Sequence, residues 1–463
     1  MITRIEIDGF KSFKDFSMDF TPFTVIAGTN ASGKSNLFDA LHLLKKLTEF
    51  DLRTAFSGER GEPIELFTQY KDNEYTNKMS LNVEMLIDKH IIDNWGVEAD
   101  IKYTRLRYEL TLERKKNERN LDELYVIHEE LKIIKKANDT WAKNFLPKDV
   151  ETKYNWIPKV VGGKSDPYIR TIEDKNNRSF KIRQDGKAGG KATPGNAVAQ
   201  TILSSINSVD FPHAFAAKEE IRKWKFLQLS PDVLRQPSKY LAKSSLDYDG
   251  ANLASTLFRI KQDDEFNLKN ISRKLNNLLP NMVEINVIDD KPNQQYLVKA
   301  KSEEGEEYTS RVLSEGTLRL LVLCVLLYDD DFNGLLCFEE PENGIHPSRI
   351  HTMIDLLNDL SINFDEGDSP LRQVMINTHS PTLVGSVLKL ENNLKNSIWF
   401  SRLISKKIEY KNNKFMTKVT KMLPVVPNQQ KVLNLFNTSE EEKKLTLTEV
   451  KNYLENFQVD EYL

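Results

Sequence analysis

The stretch Gly28-Thr-Asn-Ala-Ser-Gly33-Lys34-Ser35 constrains this chain more than any other. It fits the pattern GxxxxGK[ST] and has the flanks that pattern needs. The apolar run Phe23–Ala27 precedes it, and Leu37, Ala40, Leu41, Leu44 and Leu47 recur at helical spacing after it, within Ser35–Phe50. Glycines let successive backbone N–H groups turn inward, where with the start of the following helix they cradle an anion. Lys34 brings a mobile positive charge to the outer phosphates of a nucleotide, and Ser35 offers a hydroxyl to Mg²⁺. A buried strand, a phosphate loop and an amphipathic helix, in that order, demand an α/β fold.

Three later segments add polar groups at the ends of apolar elements. In Gly334-Leu-Leu-Cys-Phe338-Glu339-Glu340-Pro341 a buried strand runs into paired carboxylates. That is the mouth of a sheet, where open α/β folds bind ligands. Glu339 is expected in the Mg²⁺ shell, and Glu340 is expected to polarise the attacking water. Leu313-Ser314-Glu315-Gly316-Thr317 opens the apolar helix Leu318–Tyr328 and offers free N–H groups to a phosphate, although the same residues also make an ordinary N-cap. Val374-Met-Ile-Asn-Thr378 ends in His379, a candidate for a γ-phosphate contact.

The order of these four segments resembles that of ABC-type ATPases, in the branch that includes RecF, the SMC heads and the OLD-family nucleases. The opening I-x-G-F-K-S-F, the run EEPENGIHP and Asp249-Gly250-Ala-Asn252-Leu253 fit that branch. The similarity spans about residues 1–130 and 205–400. It implies an ATPase head with a P-loop mixed sheet and helices, an antiparallel β subdomain, and an inserted polar loop or hairpin region.

The resemblance further implies that two heads sandwich ATP and Mg²⁺. Ser314 to Thr317 of one copy, with Ser314, Glu315 and Gly316 as contacts, would cap the phosphate held by Lys34 of the other. Gly28, Asn30, Gly33, Ser35 and Asn36 would complete the ATP site, with Lys11 as a phosphate-sensing residue. Asn343 to His346 would form the loop at the interface, and His379 the switch histidine. Gln69 is the candidate for a further Mg²⁺ contact. Two positions depart from the branch: Glu339 stands where many members have Asp, and Glu315 where many have Gly.

The rest of the chain is read by pattern. Ser80–Leu86, Arg107–Leu112 and Leu124–His128 alternate as antiparallel strands, so residues 1–135 form a first lobe. Residues 136–205 hold about twice as many basic as acidic residues and read as an inserted region of loops and hairpins. Helical spacing at Ala216–Leu229, Asn252–Lys261 and Phe266–Leu279 opens a second lobe, 206–420. The segment 421–463 ends in an amphipathic helix capped by Thr446 and Glu449, with Val450, Tyr453, Leu454 and Phe457 on one face.

A net charge of −3 argues against a surface coated in positive field. Cys324 and Cys337 lie inside apolar runs, so a reducing compartment is expected. The longest apolar run, near Leu320–Tyr328, is about half of the ~20 residues a membrane helix needs. A cytoplasmic protein without a membrane partner is expected.

The expected activity is Mg²⁺-dependent ATP hydrolysis by paired heads. The favoured role is the sensor or scaffold subunit of a bacterial anti-phage system, similar to the ATPase subunits of PARIS and Septu, with a separate nuclease or TOPRIM-like effector. The alternative is a RecF- or SMC-like repair ATPase acting directly on DNA. A nuclease in its own right is disfavoured, because the only obvious DxD, Asp247 and Asp249, reads as a turn.

Overall fold

The computed structural model describes residues 1–146 and 166–425 apart from 175–176, 185–189, 196–197, 367–368, 391–394 and 411–412, with a few isolated positions beyond. Most of the expected C-terminal helix lies outside the described residues. Of its apolar face, Val450 is buried and the Tyr453 ring meets Phe400 edge-on, 5.7 Å between centroids.

The chain opens with β1 (Ile2–Asp8), β2 (Phe16–Asp19) and β3 (Phe23–Ala27), and the helix α1 (Lys34–Leu47) follows. Every residue of β3 is buried, as a strand covered on both faces must be. It lies inside a six-stranded sheet, ordered Lys225–Leu227, Gly334–Glu339, Arg372–Thr378, β3, Asn396–Tyr410 and Asn413–Val425. The first five strands are parallel, and the last pairs antiparallel with its neighbour.

Register places the polar segments together. Ala27 pairs with Thr378, and Asn377 with Glu339. The phosphate-type loop, the Glu339–Glu340 pair and His379 therefore leave three neighbouring strands at the same carboxyl edge, each strand about 4.8 Å from the next.

The second large sheet is antiparallel and eight-stranded. Lys78–Leu86, Arg105–Lys116 and Asp122–Ile133 alternate buried and less buried residues, as a sheet with one face on the core does. α1 packs in the hydrophobic core it shares with this sheet, through Leu37, Leu41 and Leu44 beside Ile5, Val83 and Leu110. A second core holds the opposite face of the central sheet, with Val25 and Ile376 against Leu321 and Leu323 of the helix Glu315–Leu327. Cys324 and Cys337 are buried and free.

Within 136–205 the strands Ile169–Asp174, Asn177–Arg183 and Gly190–Pro194 extend the eight-stranded sheet from its outer edge. Buried polar side chains tie both ends of the segment down. Arg105 holds Asp139 through two hydrogen bonds of 2.6 and 3.0 Å. Glu129 accepts from the amides of Ile202 and Leu203 at 2.6 and 2.8 Å, and from the Tyr108 hydroxyl at 3.0 Å.

One expectation needs correcting. The helix expected over Ala216–Leu229 is Pro212–Arg222, and Lys225–Leu227 is a parallel edge strand beside Gly334–Glu339. Apolar residues in so short a run suit either state, and the vacant strand edge decides between them. The helices at Leu253–Asp263 and Glu265–Leu278 lie within two residues of their expected bounds. Asp247 and Asp249 do form a turn, in which the Gly250 amide donates to the Asp247 carbonyl at 3.1 Å. Among the described residues no helix is long and apolar enough to cross a membrane.

Candidate active site

The loop between β3 and α1 needs glycine for two reasons. Gly28 and Gly33 have φ of +149° and +92°, a region L side chains rarely adopt. A Cβ at Gly33 would also sit 1.9 Å from Thr420 Oγ1, and one at Gly28 would sit 2.5 Å from the Ser401 carbonyl oxygen. The strands 396–410 and 413–425 therefore form the loop's rear wall. Ser401 reinforces it by donating its hydroxyl to the Ser32 carbonyl at 2.9 Å.

Lys34 opens α1 with only 6 % of its surface exposed. Its ammonium donates to the carbonyls of Gly28 and Thr29, both at 2.8 Å. Burial lowers its pKa, and Glu340 and Glu342 oppose that shift. The Ser35 hydroxyl accepts from the side-chain Nδ2 of Asn377, on the neighbouring strand, at 3.5 Å. Asn36 donates to Ser12 at 2.8 Å, and Ser12 is hydrogen-bonded to Thr420, so the helix start is braced from the side. Asn30 is exposed on the loop.

Glu340 is the most constrained residue of the site. Its φ is +45°, a left-handed conformation that costs a non-glycine residue about 1–2 kcal/mol. Asn377 holds it there, accepting the Glu340 amide on its carbonyl at 3.1 Å and on Oδ1 at 3.0 Å. The carboxylate then meets two partners: His379 Nδ1 lies 3.0 Å from Oε1, and Asn343 Nδ2 donates to Oε2 at 2.9 Å. Behind them Glu342 is buried and accepts a hydrogen bond from Thr378, and its other oxygen has no partner among the described residues. Burial raises the Glu342 pKa.

Glu339 points elsewhere. Burial raises its pKa, while the guanidinium of Arg60, 3.4 Å from both carboxylate oxygens, pulls the other way. Lys11 is ion-paired with Asp39 of α1 at 2.7 Å. Gln69 faces a separate cleft alongside Lys11, Ser12 and Tyr70, and no hydrogen bond among the described residues links it to Ser35 or Glu339.

The Ser314 segment forms a distinct surface. Ser314 caps its helix, accepting the Thr317 amide at 3.2 Å. Glu315 pairs with Arg319 at 2.9 Å. A Cβ at Gly316 would come within 2.9 Å of the Gly344 carbonyl oxygen, so the small residue lets this helix approach the loop after Glu340. Ser314, Gly316 and Thr317 line a cavity of about 520 Å³ with Gly344, His346 and Arg349. No hydrogen bond among the described residues joins Ser314, Glu315 or Gly316 to the loop 28–35 of the same chain.

The AAA ATPase domain matches residues 1–384, the span that contains every group described above except the hairpin wall. The chain belongs to that family.

Solved structures similar to this ATPase domain include the SMC head domain from Thermotoga maritima, at 12% identity and a TM-score of 0.37 over 92% of this chain and 99% of that one. Another is an SMC head bound to the C-terminal winged-helix domain of ScpA, at 14% identity and a TM-score of 0.46 over 92% of this chain and 98% of that one. A third is an SMC head with an extended coiled coil bound to the C-terminal domain of ScpA derived from Pyrococcus furiosus, at 12% identity and a TM-score of 0.43, over 97% and 99% of the two chains. No curated protein matches.

Sequence reasoning passed over four groups: Arg60 and Asn377 within the matched ATPase domain, and Ser401 and Thr420 in the hairpin wall beyond it. Asn377 was within reach, since it stands directly after the apolar residues Val374, Met375 and Ile376 and before Thr378-His379. Arg60 sits in a polar loop, and Ser401 and Thr420 lie about 370 to 390 positions from the loop residue Ser32 that they brace. Nothing in their local sequence marks them.

Proposed function

We propose that this ATPase domain hydrolyses ATP at the Lys34–Glu340–His379 edge, in a site completed by the Ser314 segment of a second copy. The observation that carries the reading is the held carboxylate: Glu340 is strained, fixed by Asn377 and shared between His379 and Asn343. Gly28, Asn30, Gly33, Lys34, Ser35 and Asn36 bind the triphosphate, and Lys34 exchanges its two carbonyl partners for phosphate oxygens. Glu340 orients and polarises the attacking water, and His379 fixes the carboxylate and faces the terminal phosphate. Lys11 and Gln69, which line the neighbouring cleft, are assigned to the periphery of the same site.

Ser35 and Glu339 would hold Mg²⁺, with Gln69 as the third candidate. A hydroxyl and a carboxylate are hard oxygen donors suited to that ion, which usually keeps waters and takes phosphate oxygens instead of entering an all-protein cage. Consistent with such sharing, the described residues contain no cluster of three or more His, Cys, Asp or Glu able to hold a metal. Bound there, Mg²⁺ would neutralise charge on the outer phosphates.

The second copy enters because Ser314 and Gly316 face a cavity of their own, shared with Gly344 and His346 of the loop whose Asn343 holds Glu340. The test is complementation. A Lys34→Ala chain and a Ser314→Arg chain, each inactive alone, regain turnover when mixed, because a mixed pair contains one intact composite site. Continued inactivity of the mixture, with both chains folded, would overturn the shared site.

For the cellular role, the reading is a sensor or scaffold subunit that controls a separately encoded nuclease or TOPRIM-like effector in anti-phage defence. The second reading is a RecF- or SMC-like ATPase that acts directly on DNA. Purification with the products of neighbouring genes separates them. A co-purifying nuclease supports the first, and tight ATP-dependent DNA binding by the chain alone supports the second.

A further inference from the structure

Among the described residues, Arg60 is the one cation ion-paired with Glu339. It reaches that position from a loop fastened to α1. Lys46 donates to the Gly58 carbonyl at 2.8 Å, and the buried Glu59 carboxylate lies 3.0 Å from His42 and 3.1 Å from Lys46. From this anchor the guanidinium spans three acceptors. It sits 3.4 Å from both Glu339 oxygens, 3.4 Å from Gln228 Oε1, and 3.9 Å from Asp39 Oδ1. Asp39 lies one helical turn after Ser35, so the two side chains share a face of α1 with about 5–6 Å between Cβ atoms. The positive charge of Arg60 therefore occupies the neighbourhood of the two groups assigned to Mg²⁺.

The geometry of the contact is loose. A charge-assisted guanidinium–carboxylate bond normally closes to about 2.7–2.9 Å, and here both oxygens stay at 3.4 Å. The Arg60 side chain is 56 % exposed, whereas Glu339 is 17 % exposed. Glu339 is a largely buried carboxylate with Asp39 and Glu340 nearby, and the Arg60 guanidinium is the positive charge set against it. Beside Arg60 opens a cavity of about 490 Å³ bounded by Asp39, His42, Gln228 and Tyr248, with room for the guanidinium to move.

We infer that Arg60 is a resident counter-ion for Glu339, displaced when Mg²⁺ arrives with nucleotide, so that it sets how much metal this site requires. The inference rests on the assignment of Glu339 to Mg²⁺ given above. A doubly charged ion outcompetes one exposed guanidinium, yet the guanidinium still exacts a small penalty on metal entry. Exposed ion pairs of this kind are worth little, so the effect expected on removing it is a factor of about two to five.

The test measures equilibrium binding of a fluorescent ATP analogue to the full chain as Mg²⁺ is titrated, with no turnover in the readout. Arg60→Ala is expected to lower the half-saturating Mg²⁺ concentration about two- to fivefold, and Arg60→Lys to lie between Ala and wild type. An unchanged or raised midpoint for Arg60→Ala overturns the displacement. Glu339→Gln is the control for the underlying assignment. If its Mg²⁺ dependence equals that of wild type, Glu339 is not the metal's carboxylate, whatever Arg60 does. If Glu339→Gln abolishes the dependence while Arg60→Ala leaves the midpoint in place, the assignment stands and the counter-ion role fails.

Discussion

Nδ1 of His379 lies 3.0 Å from Oε1 of Glu340, across 39 positions of sequence. The two side chains follow adjacent parallel strands whose register sets Glu339 opposite Asn377. Three groups thus converge on one residue: the Asn377 side chain fixes its backbone, and Asn343 and His379 take one carboxylate oxygen each. This arrangement leads to a first expectation for Glu340→Gln. An amide has the same shape and keeps hydrogen bonds to both neighbours, but it cannot act as a base. ATP binding should remain within about threefold of wild type while turnover falls by about 10²–10⁴. Paired copies should accumulate with ATP in size-exclusion chromatography. Near-normal turnover would remove Glu340 from its assigned role.

Lys34→Ala separates binding from folding. The ammonium is partly desolvated and, among the described residues, bonded only to the carbonyls of its own loop, so it contributes little that the fold needs. Binding of an ATP analogue should fall below detection at millimolar ligand, with the melting temperature within about 3 °C of wild type. Retained binding would move the nucleotide elsewhere.

Gly33→Ala tests the rear wall. The added Cβ meets Thr420 Oγ1 at 1.9 Å, and the φ of +92° is strained for alanine in any surroundings. The substitution should weaken ATP binding at least tenfold. Adding Thr420→Ala removes the worst contact but not the backbone strain of about 1–2 kcal/mol, so recovery should be partial. Full recovery would show that contact alone, and not conformation, requires glycine there.

Glu129 predicts a pH dependence of stability. Burial pushes its carboxyl up to about 7, from an ordinary value of 4.5. Because the folded value is raised, the native state binds a proton between those two pH values that the unfolded chain has lost. Its contribution is therefore fully present below about 4.5 and disappears as pH climbs through 7, a change of about 3 kcal/mol at most. Wild type should lose more stability than Glu129→Gln between pH 5.5 and 8 in urea titrations. Parallel curves for the two proteins would refute the raised value.

Local pattern reported the elements that chemistry and periodicity both mark. The glycines and lysine of 28–35, the apolar run into Glu339–Glu340 and the strand before His379 all showed in the sequence, and all three meet at one sheet edge. Alternation likewise marked the three long antiparallel strands, and helical spacing marked α1. It misread Ala216–Leu229, where three residues join a parallel sheet whose open edge no local window contains.

What the chain carries in sequence order is the list of reacting groups, because phosphate cradles and buried strands need particular residues at fixed local spacings. What only the folded molecule decided is how those groups are held: Asn377 beneath Glu340, Thr420 against Gly33, and Arg60 across Glu339. These contacts span 37 to 387 positions, and at that range spacing carries no signal. Sheet register and packing, which depend on the whole chain at once, chose the partners.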